Sequence, residues 1–308
     1  MTQRLSEEAL GLIETIPVIR RARGWRLYGA DKARILDMYL DGGRSILGRR
    51  NGISGRTEKE SIDRGLDSAF PSFWRRRLEK DILTWLPGYE GIRFYPSEVE
   101  ALLALAARDE DFAKRLEAGT RFPEALDSFA KSVFVEAPFS GYRTDAEKNP
   151  EHLAFEGCLA IAILPLAPAW SFGVVLEKAG GGIAENRKTR RGNSGRRNLG
   201  SEHSRDEAAS APIPAIKLAA AARSLSDFLA FAANYGEKQW SAMDPFIVTL
   251  FKRSGPWLYP TYPRKEHGRV FAACLGKGIL ISPDYDMPSL VPGEFDAGEA
   301  APLKTILP

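Results

Sequence analysis

The chain has 308 residues, 44% hydrophobic and 27% charged, so it is long enough for one large or two ordinary domains and too apolar to stay unfolded. Its two cysteines, Cys158 and Cys274, stand far apart with no CxxC pair, which excludes a disulfide framework and a thiolate metal site and points to a reducing, cytoplasmic setting. The formal net charge is +3, and residues 185–207 alone supply it, with seven basic against four acidic residues.

The opening MTQRLSEEALGLIETIPVIR mixes acids with apolar residues and reads as a surface helix, not as a signal peptide. Next, RGWRLYGADKARILDMYLDGG predicts a hairpin of strands 25–28 and 35–39. The polar, Gly-rich GRRNGISGRTEKE that follows reads as a loop or domain junction. Trp74, Leu78, Ile82 and Trp85 recur at helical spacing before Pro87 and Gly88 end the run. A short strand at 92–95 then leads to a helix with Ser97 as its N-cap and Val99, Leu102, Leu103 and Ala106 on one face. Ser97 and Glu100 form an S-x-x-E capping box, and Glu98 suits the positive end of the helix dipole.

Residues 133–135 predict another strand. The stretch 158–176, CLAIAILPLAPAWSFGVVL, is uncharged and about long enough to span a bilayer, but Pro165 and Pro168 divide it into two runs of strand length. Two buried strands of a sheet covered on both faces are the better reading, which favours an α/β fold. Residues 183–210 turn to Arg, Asn, Gly and Ser without periodicity and predict a mobile basic loop. Pro214 opens a helix with Leu218, Leu225 and Leu229 on one side and Gly236 past its end. The last 70 residues carry aromatics, prolines and short apolar runs at 270–275 and 278–281, which suits a small α/β domain.

Four blocks, taken in order, carry a resemblance. These are GWRLYGADKARILDMYLDGG with Leu47 and Gly48; FPSFWRRRLEKDILTWLPGYEGIRFYPSEVEALLALAAR; LEKAGGGIA followed by IPAIKLAAAARSL; and CLGKGILISPDYDMPSLVPGEFDAGEAAPL. Together they resemble the class III pyridoxal-phosphate aminotransferases, in particular the glutamate-1-semialdehyde aminomutase branch. The resemblance implies a type I transferase-like α/β fold with a reduced, mostly parallel sheet and a small α/β domain built from both chain ends. On that reading residues 1–52 open the small domain, 53–212 form the reduced large domain around the loop 183–210, and 213–308 give the linking helix and the rest of the small domain.

The resemblance also implies a homodimer, a small amino-group substrate, and pyridoxal phosphate as cofactor if the site is intact. Lys178 matches the Schiff-base position, and Ser97, Gly180 and Gly181 match cofactor-binding positions. The departures are specific. The family's Gly and Thr at the phosphate correspond to Glu98 and Val99, a carboxylate that repels a dianion and a side chain without a hydroxyl. One residue, Ala179, separates Lys178 from the glycines where two are usual. The family's pyridinium Asp, on a strand end and followed by Glu, has no match in AFEGCLAIAILPLAPAWSFGVVLEK, whose only acids are Glu156 and Glu177.

The preferred reading is therefore a degenerate aminotransferase-like protein without transaminase activity, acting as a scaffold or binding protein. A divergent pyridoxal-phosphate aminotransferase or aminomutase using Lys178 is the alternative. A third reading has the basic loop engage nucleic acid or phosphate through Arg187, Lys188, Arg190, Arg191, Arg196 and Arg197, although it offers no aromatic residue for base stacking. His152, His203 and His267 lie at no metal-ligand spacing. Nucleophile-elbow, Walker and dinucleotide motifs are absent from the sequence.

Overall fold

The structure of the protein, a computed structural model, describes residues 7–30, 32–49, 54–106, 134–136, 138–139, 159–178 and 210–306. After helix α1 (Glu7–Glu14) the chain builds an antiparallel meander of β1 (Ile19–Arg23), β2 (Arg26–Gly29) and β3 (Arg34–Asp37). The expected hairpin is present. Residues 19–20, the end of the stretch expected to be helical, belong instead to a third strand that runs on to Arg23.

A strand from the far end of the chain, β10 (Ile279–Leu280), pairs in parallel with β3, so both chain ends share one sheet. Arg26, with its side chain only 10% exposed, reinforces this junction by a bidentate bond at 2.8 Å to Glu299. Such paired, planar contacts are among the stronger ion pairs. A separate antiparallel sheet of β8 (Phe251–Ser254), β9 (Trp257–Pro260) and β11 (Ser289–Leu290) lies nearby in the chain's last part, tied on by the Leu290 N–H, which donates to the Met38 carbonyl at 2.7 Å.

Between these parts runs the helical layer. Residues 54–60, expected to be loop, belong to helix α2 (Ser54–Asp63), which packs on α5 (Ala215–Ala232) together with α3 (Phe73–Trp85). Polarity misled the expectation because α2 has no apolar stripe of its own. Its buried Ser61 returns its hydroxyl to the Thr57 carbonyl at 2.8 Å, and the helix it packs on carries a run of fully buried alanines, Ala219, Ala220, Ala221 and Ala222, small enough to let neighbouring elements approach closely. In α3, Leu78 and Ile82 are fully buried, Trp74 and Trp85 are partly buried, and Ser72 caps the helix by accepting from the Trp74 N–H.

The remaining sheet has the order β4–β7–β6–β5, formed by β4 (Tyr89–Tyr95), β7 (Gly173–Lys178), β6 (Leu159–Ala162) and β5 (Phe134–Glu136). Both of its faces are covered, as expected. Phe94, Val174, Leu176, Ala160 and Ala162 belong to the main core, while the alternating Tyr95, Val175 and Ile161 join Ala101, Leu102 and Leu105 of α4 (Glu98–Ala106). This is the period of two that a strand imposes. Leu103, expected on the buried face of α4, is 54% exposed, and Leu105 is buried in its place.

The expectation of a mostly parallel sheet is corrected among the described strands: β5 and β6 are parallel, but β7 runs antiparallel to both β6 and β4. Only residues 163–172, with one turn of 3-10 helix at Pro168–Trp170, join β6 to β7. A parallel return needs a crossover of about a dozen residues or more, so this connection can only reverse the chain. The proline division of 158–176 is thus the turn of a β-hairpin. Among the described residues no helix is long and apolar enough to cross a membrane.

One turn holds a conformation that L-residues avoid. After β3, Leu40, Asp41, Gly42 and Gly43 all have positive φ, at 48°, 51°, 66° and 96°. The fully buried Asp37 carboxylate fixes this run by accepting from the Tyr39 and Leu40 N–H groups at 3.1 and 2.9 Å and from Arg49 Nε at 2.8 Å. Arg49 also meets Asp41 at 3.0 Å. Gly43 must be glycine for a second reason: a Cβ there would come within 3.2 Å of the Trp257 ring.

Two outcomes follow from the fold. Asp37→Ala strands the Arg49 charge and releases the left-handed turn, so urea denaturation should show a loss of about 3 kcal/mol. His267, 2% exposed and 3.1 Å from the Tyr262 hydroxyl through Nδ1, has a pKa pulled below its ordinary 6.5 chiefly by burial. The unfolded chain then takes the proton first, so His267 contributes its full stability above 6.5 and loses it as pH falls through 6.5 towards the lower folded value. Unfolding midpoints measured across that window should slope downward into acid, and His267→Phe should flatten the slope.

Candidate functional site

In open α/β sheets, ligands bind beyond the carboxyl ends of the parallel strands. Here that end is where β4, β5 and β6 finish and β7 begins. Ser97 and α4 follow β4 there, packed so closely on the start of β7 that a side chain at Gly173 would come within 2.5 Å of the Ser97 carbonyl. The returning chain seals the edge of β4, since Phe94 N–H donates to Ser210 Oγ and Ala211 N–H to the Phe94 carbonyl, both at 2.8 Å.

Helix α4 starts with its polar groups already engaged. Ser97 Oγ accepts from the Glu100 N–H at 3.2 Å, which is one arm of the expected capping box, and donates to the Glu100 carboxylate at 3.1 Å, so that the carboxylate meets the serine hydroxyl. Glu98 does more than favour the dipole. Its two oxygens accept from Nη1 and Nη2 of Arg44 at 2.6 and 2.7 Å, with the two side chains 9% and 17% exposed. Arg44 follows the left-handed turn directly, so the strained segment fixed by Asp37 aims it at the first turn of α4. Sequence reasoning missed Arg44. Its one local signal was an arginine directly after Asp-Gly-Gly, and its partner lies 54 residues away.

Lys178 ends β7. Antiparallel pairing sets it opposite Tyr89, the first residue of β4, with Glu177 opposite Leu159, the first residue of β6. Its amine lies over the Tyr89 ring, 5.8 Å from the centroid. Lys178 is therefore at the end where the other three strands begin, and Ser97 is at the end where they finish. Five residue-to-residue steps along β7 lead from Gly173, beside Ser97, to Lys178, about 17 Å at the usual rise per residue. The structure does not bring Lys178 and Ser97 together.

Gly180 and Gly181 lie outside the described residues, as do residues 183–209 of the basic loop and its arginines. The lysine that reaches the carboxyl end among the described residues is Lys217 of α5, whose amine donates to the Ser171 carbonyl at 3.3 Å. At the same end β5 finishes on Val135 and Glu136. This strand end lies upstream of the stretch AFEGCLAIAILPLAPAWSFGVVLEK that ends at Lys178.

Pyridoxal phosphate does not fit the described groups as one site. Its phosphate would meet the Glu98 carboxylate at a helix start whose serine is spent on capping, and a Schiff base at Lys178 would form at the opposite end of the sheet. What the arrangement does offer is a rigid, closed junction between the N-terminal turn and α4. Removing either Arg44 or Glu98 leaves a nearly buried charge unpaired. In a double-mutant cycle, Arg44→Met and Glu98→Gln should each cost about 2 kcal/mol, with the double variant losing clearly less than the sum.

No protein-family model matches the chain. It is 26% identical over 300 residues to an uncharacterised protein of Borreliella burgdorferi, covering 96% of this chain and 92% of that one. It is 27% identical over 285 residues to an uncharacterised protein of Treponema pallidum, covering 89% and 88%. Among solved structures it is similar to an omega-transaminase from Sphaerobacter thermophilus, at 14% identity and TM-score 0.59, over 93% of this chain and 90% of that chain. It is also similar to an N-acetylornithine aminotransferase from Stenotrophomonas maltophilia, at 12% identity and TM-score 0.56, over 94% and 95%. A further match is an ornithine delta-aminotransferase from Plasmodium falciparum, at 10% identity and TM-score 0.56, over 92% and 90%. At these identities the likeness concerns the fold alone: the chain has an aminotransferase-like α/β fold.

Proposed function

We propose that this is an aminotransferase-fold protein that does not carry out transamination and serves instead as a scaffold or as a binder of a small molecule or protein partner, in the cytoplasm. The observation that carries the reading is the Arg44–Glu98 ion pair, which occupies the position that the family resemblance gives to the cofactor phosphate. A phosphate entering there would have to displace a bidentate, nearly buried carboxylate from its arginine and then sit beside it.

Two further features agree. The resemblance calls for Asp then Glu on a strand end, and β5 ends on Val135 and Glu136, with no carboxyl at the first position. An electron-sink cofactor needs an acid on its pyridinium nitrogen, and valine supplies none. Lys178, the Schiff-base candidate, belongs to the opposite end of the sheet. Within this proposal, the blocks quoted from the sequence are what support a kinship with the glutamate-1-semialdehyde aminomutase branch.

The full-length protein incubated with pyridoxal phosphate, then reduced with borohydride and mapped by mass spectrometry, should show no visible Schiff-base band and no stoichiometric label on any one lysine. Lys178→Ala should behave as the unaltered protein does. A defined absorbance band with one pyridoxyl group on Lys178 or Lys217 would overturn the proposal in favour of a divergent pyridoxal-phosphate enzyme.

A further inference from the structure

Strand β1 is an outer strand of the sheet that both chain ends build: among the described strands it pairs with β2 alone. The free edge of such a strand presents a row of backbone N–H and carbonyl groups, ready for a further extended chain. Along β1 stand Arg20, Arg21 and Arg23, all exposed, with Val18 before them at 75% exposure. No carboxylate among the described residues forms an ion pair with any of these three arginines.

The register sets this charge at a cost to the sheet. Arg21 stands opposite Tyr28 and Arg23 opposite Arg26, and directly opposite residues share a face. Like charges so placed are destabilising. The carboxylates that could relieve them are already engaged: Glu294, Asp296 and Glu299 lie 3.3, 3.9 and 2.8 Å from Arg26, and the last two also meet Arg34. The Arg21 guanidinium is held over the Tyr28 ring, 4.9 Å from its centroid. Charge on an edge strand discourages edge-to-edge pairing, but that purpose does not call for one arginine set against another.

The edge and its charge together select the occupant. β1 of a second copy would set arginine against arginine. A nucleic acid offers phosphate oxygens, which only accept, so the edge carbonyls would be left facing a polyanion, and the Tyr28 ring already carries Arg21 over its face. An extended peptide supplies both donors and acceptors to a strand edge, and acidic side chains at every second position fall on the face of Arg21 and Arg23. We propose that β1 is a docking edge for an extended acidic segment of a partner protein, which adds to the sheet as a further strand with its alternate carboxylates on Arg21 and Arg23. This gives the binding role proposed above a partner, at a place apart from the Arg44–Glu98 junction and from Lys178, so its test is independent of any lysine chemistry with the cofactor.

Fluorescence anisotropy of the full-length protein with a short fluorescein-labelled peptide that alternates glutamate with valine tests this directly. The peptide should bind saturably in the micromolar range and more weakly as salt is raised. The double variant Arg21→Glu, Arg23→Glu should weaken binding by about tenfold or more, with thermal unfolding no lower than that of the unaltered protein. A second arm separates strand addition from charge alone: the same peptide methylated on alternate backbone nitrogens keeps its carboxylates but loses the donors a strand needs, and it should not bind. Absence of binding by the alternating peptide, binding indifferent to the arginine changes, or equal binding of the methylated peptide would overturn the proposal. So would an oligothymidylate that binds the unaltered protein through Arg21 and Arg23 more tightly than the peptide does.

Discussion

The carboxylate of Asp37 holds together a piece of backbone that would not otherwise exist. Four successive residues with positive φ, two of them not glycine, are costly, and the bonds that Asp37 accepts from the Tyr39 and Leu40 N–H groups and from Arg49 offset that cost, together with the contact between Arg49 and Asp41. Because the turn is rigid, Arg44 leaves it in one direction and meets Glu98. Because Arg44 meets Glu98, the N-terminal segment is locked to the first turn of α4. The same turn lies against Trp257 through Gly43, and its neighbour Met38 is bonded on both sides: its N–H donates to the Leu280 carbonyl and its own carbonyl accepts from the Leu290 N–H. One buried acid thus organises contacts among the chain's beginning, middle and end.

This organisation bears on function through position. A helix start at the carboxyl end of parallel strands is a natural anion site, since its free N–H groups and dipole favour negative charge. Here the negative charge is already present as Glu98, and its counterion is built into the fold. On the proposed reading, the aminotransferase-like fold surrounds a place where an internal carboxylate stands where a phosphate would otherwise bind. Lys178 adds nothing to that place, because the short hairpin at 163–172 sends β7 away from it.

Much of the framework could be read from the residues. The spacing of Trp74, Leu78, Ile82 and Trp85 gave α3, the alanine-rich run after Pro214 gave α5, and Ser97 with Glu100 gave the cap of α4. Other features could not be read locally. Helix α2 carries no apolar stripe and depends on the buried alanines of α5, which lie about 160 residues further along the chain. The direction of β7 was latent in the length of its connection, too short for a crossover, but apolar composition alone is the same for either direction. The burial of Leu105 in place of Leu103 reflects a rotation of α4 set by its packing on β7 and β4. Arg44 was invisible because its role depends on a left-handed turn and a partner far away in sequence.

The central claim is that Arg44 and Glu98 close the anion position at the start of α4. A crystal structure of the protein grown with millimolar pyridoxal phosphate tests it most directly. The account predicts Arg44 within hydrogen-bond distance of both Glu98 oxygens and no phosphate density at the N-terminus of α4. A phosphate seated on the N–H groups of that first turn, with Arg44 turned away from Glu98 to meet it, would contradict it.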